Sequence, residues 1–371
     1  MDVALVVAGD LETTSGGFAY DRLLVDRLRD RGHAVDVLSL PRRSYARHLL
    51  DNLRPLHRRH PGHDVVVQDG LCHPSLVGAN RRLDVPVVAL LHMLRTEAEA
   101  VATGGRSRAI RREVVRRVER RYLLGVDAAV YNSRATRDRV EALVGGDAPE
   151  GIVAPPAGDR FDSTLDTATA DHLPEIDEQT VRGRARESAE RLEVVFLGNV
   201  VERKGLDVLV RGLAALDADI DWRLTVVGDP TVEPEYVRRV QQLIDREEIA
   251  DRVVFAGRLP DAAVAATLRD VHVVAMPSRY EPYGIASLEG MCFGCVPIAT
   301  TNGGPPEFVD DGDSGFLVDP GDVDGVVAAL EGLADPGRLA AMGVAARRTY
   351  ERQPTWEESL DRAVDFLEDL P

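Results

Sequence analysis

The sequence predicts an α/β protein with two doubly wound parallel-sheet domains. Two observations point there. Short β-branched runs alternate with longer stretches of helical periodicity, the pattern of βαβ units on a parallel sheet. That alternation also lapses once, near the middle, and then begins again. A chain of 371 residues is long for one core, which agrees with two domains.

The first series of strands reads VALVVAG, AVDVLSL, DVVVQDG, PVVALLH, DAAVYNS and GIVAPP. This places a first domain over residues 1–160. Residues 161–190 are polar, carry no convincing strand, and read as a connector. The second series is EVVFLGN, WRLTVVGD, RVVFAGR, VHVVAMPS, VPIATT and GFLV, giving a second domain over 191–353. The closing segment, TWEESLDRAVDFLEDL within 354–371, is amphipathic and is expected to dock as a helix on the first domain. Ligands of open parallel sheets bind beyond the carboxyl ends of the strands, so two facing domains are expected to enclose a cleft.

Composition narrows the chemistry. With 62 acidic against 45 basic residues the net charge is −17, which disfavours nucleic acid as a partner. Abundant Asp with almost no Lys resembles proteins of salt-loving organisms. No run approaches the roughly 18 apolar residues of a membrane span, and MDVALVVAGDLE reads as a strand rather than a leader. Cys72, Cys292 and Cys295 are too few for a disulfide framework and fit a reducing cytoplasm. The C-x-x-C of Cys292 and Cys295 has no second pair to complete a zinc site, and reads as part of a buried helix. The D-x-D triplets at 217–219 and 322–324 are what so acidic a chain produces by chance, and no metal is expected.

Lys204 is the only lysine; every other basic residue counted is arginine. It follows the first strand of the second series by a short loop, LGNVVERKG. An ammonium is a compact charge with three rotatable donors, whereas guanidinium is a planar fork. A site that must hold phosphate oxygens around one centre accepts the first and not the second. PSRYEPYGIASLEG, 277–290, supplies a second element: a loop with Pro277, Pro282 and Gly284, then a helix whose first amides, near Gly284, Ile285 and Ala286, suit a phosphate. Glu281 and Glu289 stand eight positions apart, about 12 Å if helical. That is too far for a carboxylate pair flanking one bond, and suits gripping two ends of an extended ligand.

With SGGFAYDRLLVDRLRDRGHAVDVLSL, YNSRATRD, PPAGDRF, GNVVERKGLDVLV, VVFAGRLPD, PSRYEPYGIASLEG and VPIATTNGGPPEFVDDGDSGFLVDPGD in this order, the chain resembles the retaining glycosyltransferases of family 4. That resemblance implies two Rossmann-like domains facing a central cleft, the GT-B fold. It implies transfer of a sugar from a UDP- or GDP-linked donor to an acceptor hydroxyl with retention of configuration and no cofactor. Lys204 would bind the diphosphate, Glu281 the transferred sugar and Glu289 the ribose, with the amides of Gly284, Ile285 and Ala286 on phosphate and Tyr283 in the same loop. Gly16 and Gly17 would let backbone approach the donor, His92 would lie near the sugar, and Arg258 would border the base. The family often has Gly-Arg where this chain has Gly198-Asn199, which leaves Arg203 to supply the missing charge.

The alternatives on the same architecture are a nucleotide-sugar epimerase or a phosphorylase. The non-enzyme alternative is a two-domain solute-binding protein. A dehydrogenase is disfavoured, since AGDLETTSGG is not G-x-G-x-x-G. The acceptor is open: lipid-linked, glycan or small molecule. A basic segment, GRSRAIRREVVRRVERRY at 105–122, is expected to be a helix with Ile110, Val114, Val115, Val118 and Tyr122 on one stripe. Its arginines offer a surface for anionic lipid or a phosphorylated acceptor at the inner membrane face, which RPLHRRH at 54–60 would extend.

Overall fold

The computed structural model describes residues 1–11, 16–52, 62–101, 106–161, 176–187 and 191–371. RPLHRRH lies outside the described residues. The chain divides into two compact units, Met1–Pro156 with Trp356–Pro371, and Ala157–Thr355.

The first unit is built on β1 (Asp2–Ala8), β2 (Ala34–Leu40), β3 (Val65–Asp69), β4 (Val87–Leu91), β5 (Ala128–Tyr131) and β6 (Glu150–Val153). They form one sheet in the order β2-β1-β3-β4-β5-β6, with every pairing parallel. The second unit carries β7 (Leu192–Leu197), β8 (Trp222–Val227), β9 (Val253–Gly257), β10 (Val273–Met276), β11 (Val296–Thr300) and β12 (Phe316–Val318). Their order is β12-β11-β10-β7-β8-β9, again all parallel. All twelve runs read from the sequence are strands. Inner strands such as β3, β4, β10 and β11 are buried along their whole length, as helices on both faces of a parallel sheet require. The edge strands β2, β6, β9 and β12 are less completely buried.

The order matters for function. In the second unit the chain starts at β7, winds outward through β8 to β9, and returns to β10 on the other side of β7. The strand order therefore reverses between β7 and β10, which pair directly through Val194 with Val273 and Val195 with Val274. Loops leaving these two strands diverge above and below the sheet and open a crevice at their carboxyl ends.

Part of the stretch expected as a connector is ordered. Glu178–Glu187 is a helix of the second unit, with Val181 and Ala185 buried. Its polar composition hid a narrow apolar stripe of two residues. The basic helix, Arg106–Leu123, also differs from expectation. Val115 and Tyr122 are buried, but Ile110 is 69% exposed and Val114 41%. The inward face instead carries Glu119, whose carboxylate accepts the amides of Arg95 and Thr96 at 2.7 and 2.8 Å and caps the helix Arg95–Val101. Cys292 and Cys295 are buried, and the Cys295 thiol donates to the Leu268 carbonyl at 3.1 Å.

The closing helix, Trp356–Glu368, returns to the first unit. Leu360, Ala363, Val364 and Leu367 share a core with Leu24 and Leu28 of the helix Gly16–Asp30. Arg27 clasps Asp361 at 2.5 and 2.6 Å, and Arg31 meets Glu368 at 2.7 Å. These pairs are partly exposed and contribute little beside the apolar contact. Leu360→Ala is expected to cost about 2–5 kcal/mol in urea unfolding, while Arg31→Ala stays within about 1 kcal/mol; equal losses would show that charge, not burial, docks the helix.

Candidate functional site

In the second unit the site grows from the ends of β7 and β10. Gly198 ends β7 with φ +139°, a conformation that a side chain resists. The chain then makes a short turn at Glu202–Lys204 and enters the helix Leu206–Ala214. The turn folds the lysine back over the strand end. A Cβ placed on Gly198 would lie 2.3 Å from the Lys204 ammonium. The backbone angle demands glycine at this position, and a side chain there would also displace the amine packed against it. Among the described residues the Lys204 ammonium has neither a hydrogen bond nor an ion pair. Its pKa is pushed below the ordinary lysine value, chiefly by burial; the charge of Glu281 opposes this, that of Arg203 adds to it, and that of Glu289 opposes it.

The loop after β10 is bolted to the loop after β7. Arg279 reaches across to Asp207 in a fork, 3.0 and 2.8 Å, and its amide donates to the Arg203 carbonyl at 2.7 Å. Asp207 also accepts the Tyr236 hydroxyl at 2.7 Å. Such a bidentate pair fixes orientation as well as distance. Arg203 donates to the Tyr280 carbonyl and lies 3.5 Å from Glu281, so its guanidinium is engaged with this same loop. Asn199 sits at the partly exposed end of β7.

Glu281 is held through its backbone. Its amide donates to the Asn302 carbonyl at 3.0 Å and its carbonyl accepts the Gly304 amide at 2.9 Å. Gly303, with φ +132°, passes so close that a Cβ there would fall 1.8 Å from the Glu281 carbonyl oxygen. The Glu281 carboxylate accepts from the Ser278 hydroxyl at 3.2 Å. Gly284 caps the following helix, Ile285–Cys292, whose first hydrogen bonds run from the Ser287 and Leu288 amides to the Gly284 carbonyl. The amides of Gly284, Ile285 and Ala286 thus have no partner within the helix, and its positive end lies beside Glu281.

Glu289, one turn further along, is buried. Burial pushes its carboxyl up to about 7, although the Arg160 charge pulls the other way. Arg160 lies 2.6 Å from Glu289 Oε1, donates to Oε2 at 3.2 Å, and stacks over Phe161 at 4.5 Å. The Tyr283 ring is buried against Phe308, 5.2 Å between centroids, in a small apolar cluster. Arg258 is exposed after edge strand β9, two strands away from β7.

The first unit brings together residues far apart in sequence. Gly16 opens its first helix, and a Cβ on Gly17 would meet the His92 ring at 3.2 Å. His92, just beyond β4, has Nε2 2.7 Å from Oδ1 of Asp21, a carboxylate with no exposed surface. Burial opposes charge on His92, but the Asp21 charge and hydrogen bond and the Asp69 charge raise its pKa above the ordinary value. Asp69, at the end of β3, has its pKa pushed well up by burial and by Asp21. The D-x-D triplets serve turns: Asp217 accepts the Asp219 amide at 3.1 Å, and Asp322 caps the helix Val323–Leu333.

Asp21, Asp69, Arg160, Asp207 and Arg279 escaped the sequence reading. Each acts through a partner distant in the chain, and although all five lie in stretches quoted from the sequence, none had been given a role there.

Residues 177–349 match the family described as "Glycosyl transferases group 1". The chain is 34% identical over 68% of its length to the GDP-mannose-dependent α-(1-6)-phosphatidylinositol monomannoside mannosyltransferase of Mycolicibacterium smegmatis, covering 65% of that protein. It is 31% identical over 77% of its length to the D-inositol 3-phosphate glycosyltransferase of Xylanimonas cellulosilytica, covering 67% of that one. It thus spans about two thirds of these relatives. Its fold is that of the sucrose-phosphate synthase of Thermosynechococcus elongatus, with a TM-score of 0.80 over 99% of this chain and 98% of the other at 20% identity. The chain belongs to the family of glycosyl transferases group 1.

Proposed function

We propose that the protein transfers a hexose from a nucleoside diphosphate sugar to an acceptor hydroxyl, with retention of the anomeric configuration. The observation that carries this reading is the Lys204 ammonium, packed against Gly198 without a partner, in the same pair of loops as Glu281 and the positive end of Ile285–Cys292. Breaking a sugar–phosphate bond leaves negative charge on a nucleoside diphosphate. A preorganised cation and free amides aimed at that charge lower the barrier without any reorganisation. Lys204 and the amides of Ile285 and Ala286 take this role, Glu281 accepts from hydroxyls of the transferred sugar, and Glu289 accepts from the ribose. We read His92 as a contact to the reacting sugar or acceptor. The reading assigns no covalent nucleophile: the acceptor oxygen attacks on the face from which phosphate leaves, and the departing phosphate takes its proton. The positive charge for this step comes from protein groups, so the reading calls for no metal.

The relatives' names supply the substrate side of the proposal. One is named for GDP-mannose and the other for D-inositol 3-phosphate. We take the donor as a GDP- or UDP-linked hexose and the acceptor as a hydroxyl on a phosphorylated cyclitol or a lipid-linked form of one. The helix Arg106–Leu123 suits the second form, since Ile110 and Val114 lie exposed among arginines in a manner that fits anionic headgroups at the cytoplasmic face.

A panel of nucleotide sugars scored by thermal shift, followed by product analysis, tests the proposal. Product is expected only when acceptor is present; conversion of the donor alone would favour an epimerase. Lys204→Ala is expected to lower turnover by roughly 10²- to 10³-fold with an unchanged circular dichroism spectrum, and Lys204→Arg to leave most of that loss. Turnover at the wild-type level in Lys204→Ala would refute the assignment. Glu289 gives a second test. Its pKa is about 7 in the fold against an ordinary 4.5, so between these values the folded state binds more protons than the unfolded. Stability should therefore fall as pH rises through that window, while donor affinity rises as the carboxylate forms. Glu289→Gln should flatten both trends, and parallel curves for the two proteins would contradict the assignment.

A further inference from the structure

The pair His92 and Asp21 has more structure than a sugar contact needs. Asp21 lies in the second turn of the helix Gly16–Asp30 and is fully buried. One of its oxygens meets His92 Nε2 at 2.7 Å; the other, Oδ2, is buried and has no partner among the described residues. A buried carboxylate so poorly satisfied is expensive to keep. An apolar residue or an asparagine at this position would serve packing at less cost. The imidazole is fixed on its remaining sides as well. Tyr20 lies against it, with ring centroids 5.2 Å apart, and Gly17 leaves just enough room beside Cδ2 and Cγ. Asn132 ties the His92 backbone by donating to its carbonyl at 2.8 Å. The titratable groups around the ring are Asp21 and Tyr20 from the helix and Asp69 from β3. Among the described residues Nδ1 is the ring nitrogen with no partner.

We propose that Asp21 is a positioning residue: by accepting the Nε2–H of His92 it locks the ring so that Nδ1 alone is offered to a substrate hydroxyl. In the neutral ring Nδ1 is then an acceptor, and in the imidazolium a donor; in both states Nε2–H stays on Asp21. A ring whose tautomer is fixed in advance spends no binding energy on choosing it, the logic by which a buried carboxylate orients a catalytic imidazole elsewhere. This rests on the reading of His92 as a contact to the reacting sugar or acceptor.

The test is Asp21→Asn, which keeps the shape and removes the charge. With ¹⁵N-labelled histidine, and His92→Gln to assign the signal, the wild-type ring is expected to carry its proton on Nε2 throughout the neutral range. In Asp21→Asn the Nδ1–H form should appear. Transfer, measured as kcat/KM, should fall about 10²-fold, the scale of a misplaced contact group. Adding Asp21→Asn to His92→Gln should cost nothing further. Unchanged circular dichroism and Tm in Asp21→Asn would place the loss in the site rather than the fold. An Nδ1–H ring in the wild type, or an equal loss from Asp21→Asn in both backgrounds, would overturn the proposal. A shifted tautomer with wild-type transfer would overturn the catalytic use of the pair while leaving the role of Lys204 untouched.

Discussion

A positive charge held in a crowded place, with no counter-ion among the described residues, is the constraint around which the second unit is organised. Lys204 folds back over the end of β7, and Gly198 makes room for it. Two carboxylates, Glu281 and Glu289, are near enough to stabilise its charge, yet neither forms an ion pair with it. In a chain of net charge −17 a neutralising carboxylate was available in abundance. Leaving this amine unpaired keeps its three donors for a ligand. Replacing it with guanidinium would put a wider planar group against the same glycine.

The fold supplies the location and the bracing. The reversal of strand order between β7 and β10 sends their following loops apart, and the site lies where they begin. Two loops alone would move independently. The Arg279–Asp207 fork and the Arg279 amide on the Arg203 carbonyl join them beside Lys204 and Glu281. Glu281 is fixed by its main chain, through Asn302 and Gly304, and its carboxylate meets the Ser278 hydroxyl and the Arg203 guanidinium. In the first unit the same economy appears in another form, with His92 anchored by a buried carboxylate rather than by a loop lock.

The fold was legible because each strand of a parallel sheet is a continuous apolar run, and the runs here are cleanly separated by glycine and polar turns. Lys204 and Glu281 drew attention because each follows a strand by a short loop, Glu289 because it stands on the helix after that loop, and the lysine also because it has no rival in the chain. The pairings were not. Asp207 and Arg279 are 72 residues apart, and Asp21 and His92 are 71, so nothing in local pattern joins them. Arg160 stood in the sequence only as part of PPAGDRF, yet it is the cation that partly offsets the burial of Glu289. The Tyr283 ring packs against Phe308 in a small apolar cluster, a contact that its place in the loop did not announce. The basic helix misled through its period: five apolar residues drew one stripe, while the inward face was claimed by Glu119, whose carboxylate caps a neighbouring helix.

Because Lys204 is the only lysine, labelling lysine with ¹⁵N places a single side-chain signal in the spectrum of the whole protein. Titrating that signal is the most direct measurement of the central claim. Its pKa is expected below the ordinary lysine value of 10.5 in the free protein, and to rise when a nucleoside diphosphate is added, as anionic oxygens take up its donors. An ordinary pKa that does not respond to nucleoside diphosphate would contradict the account.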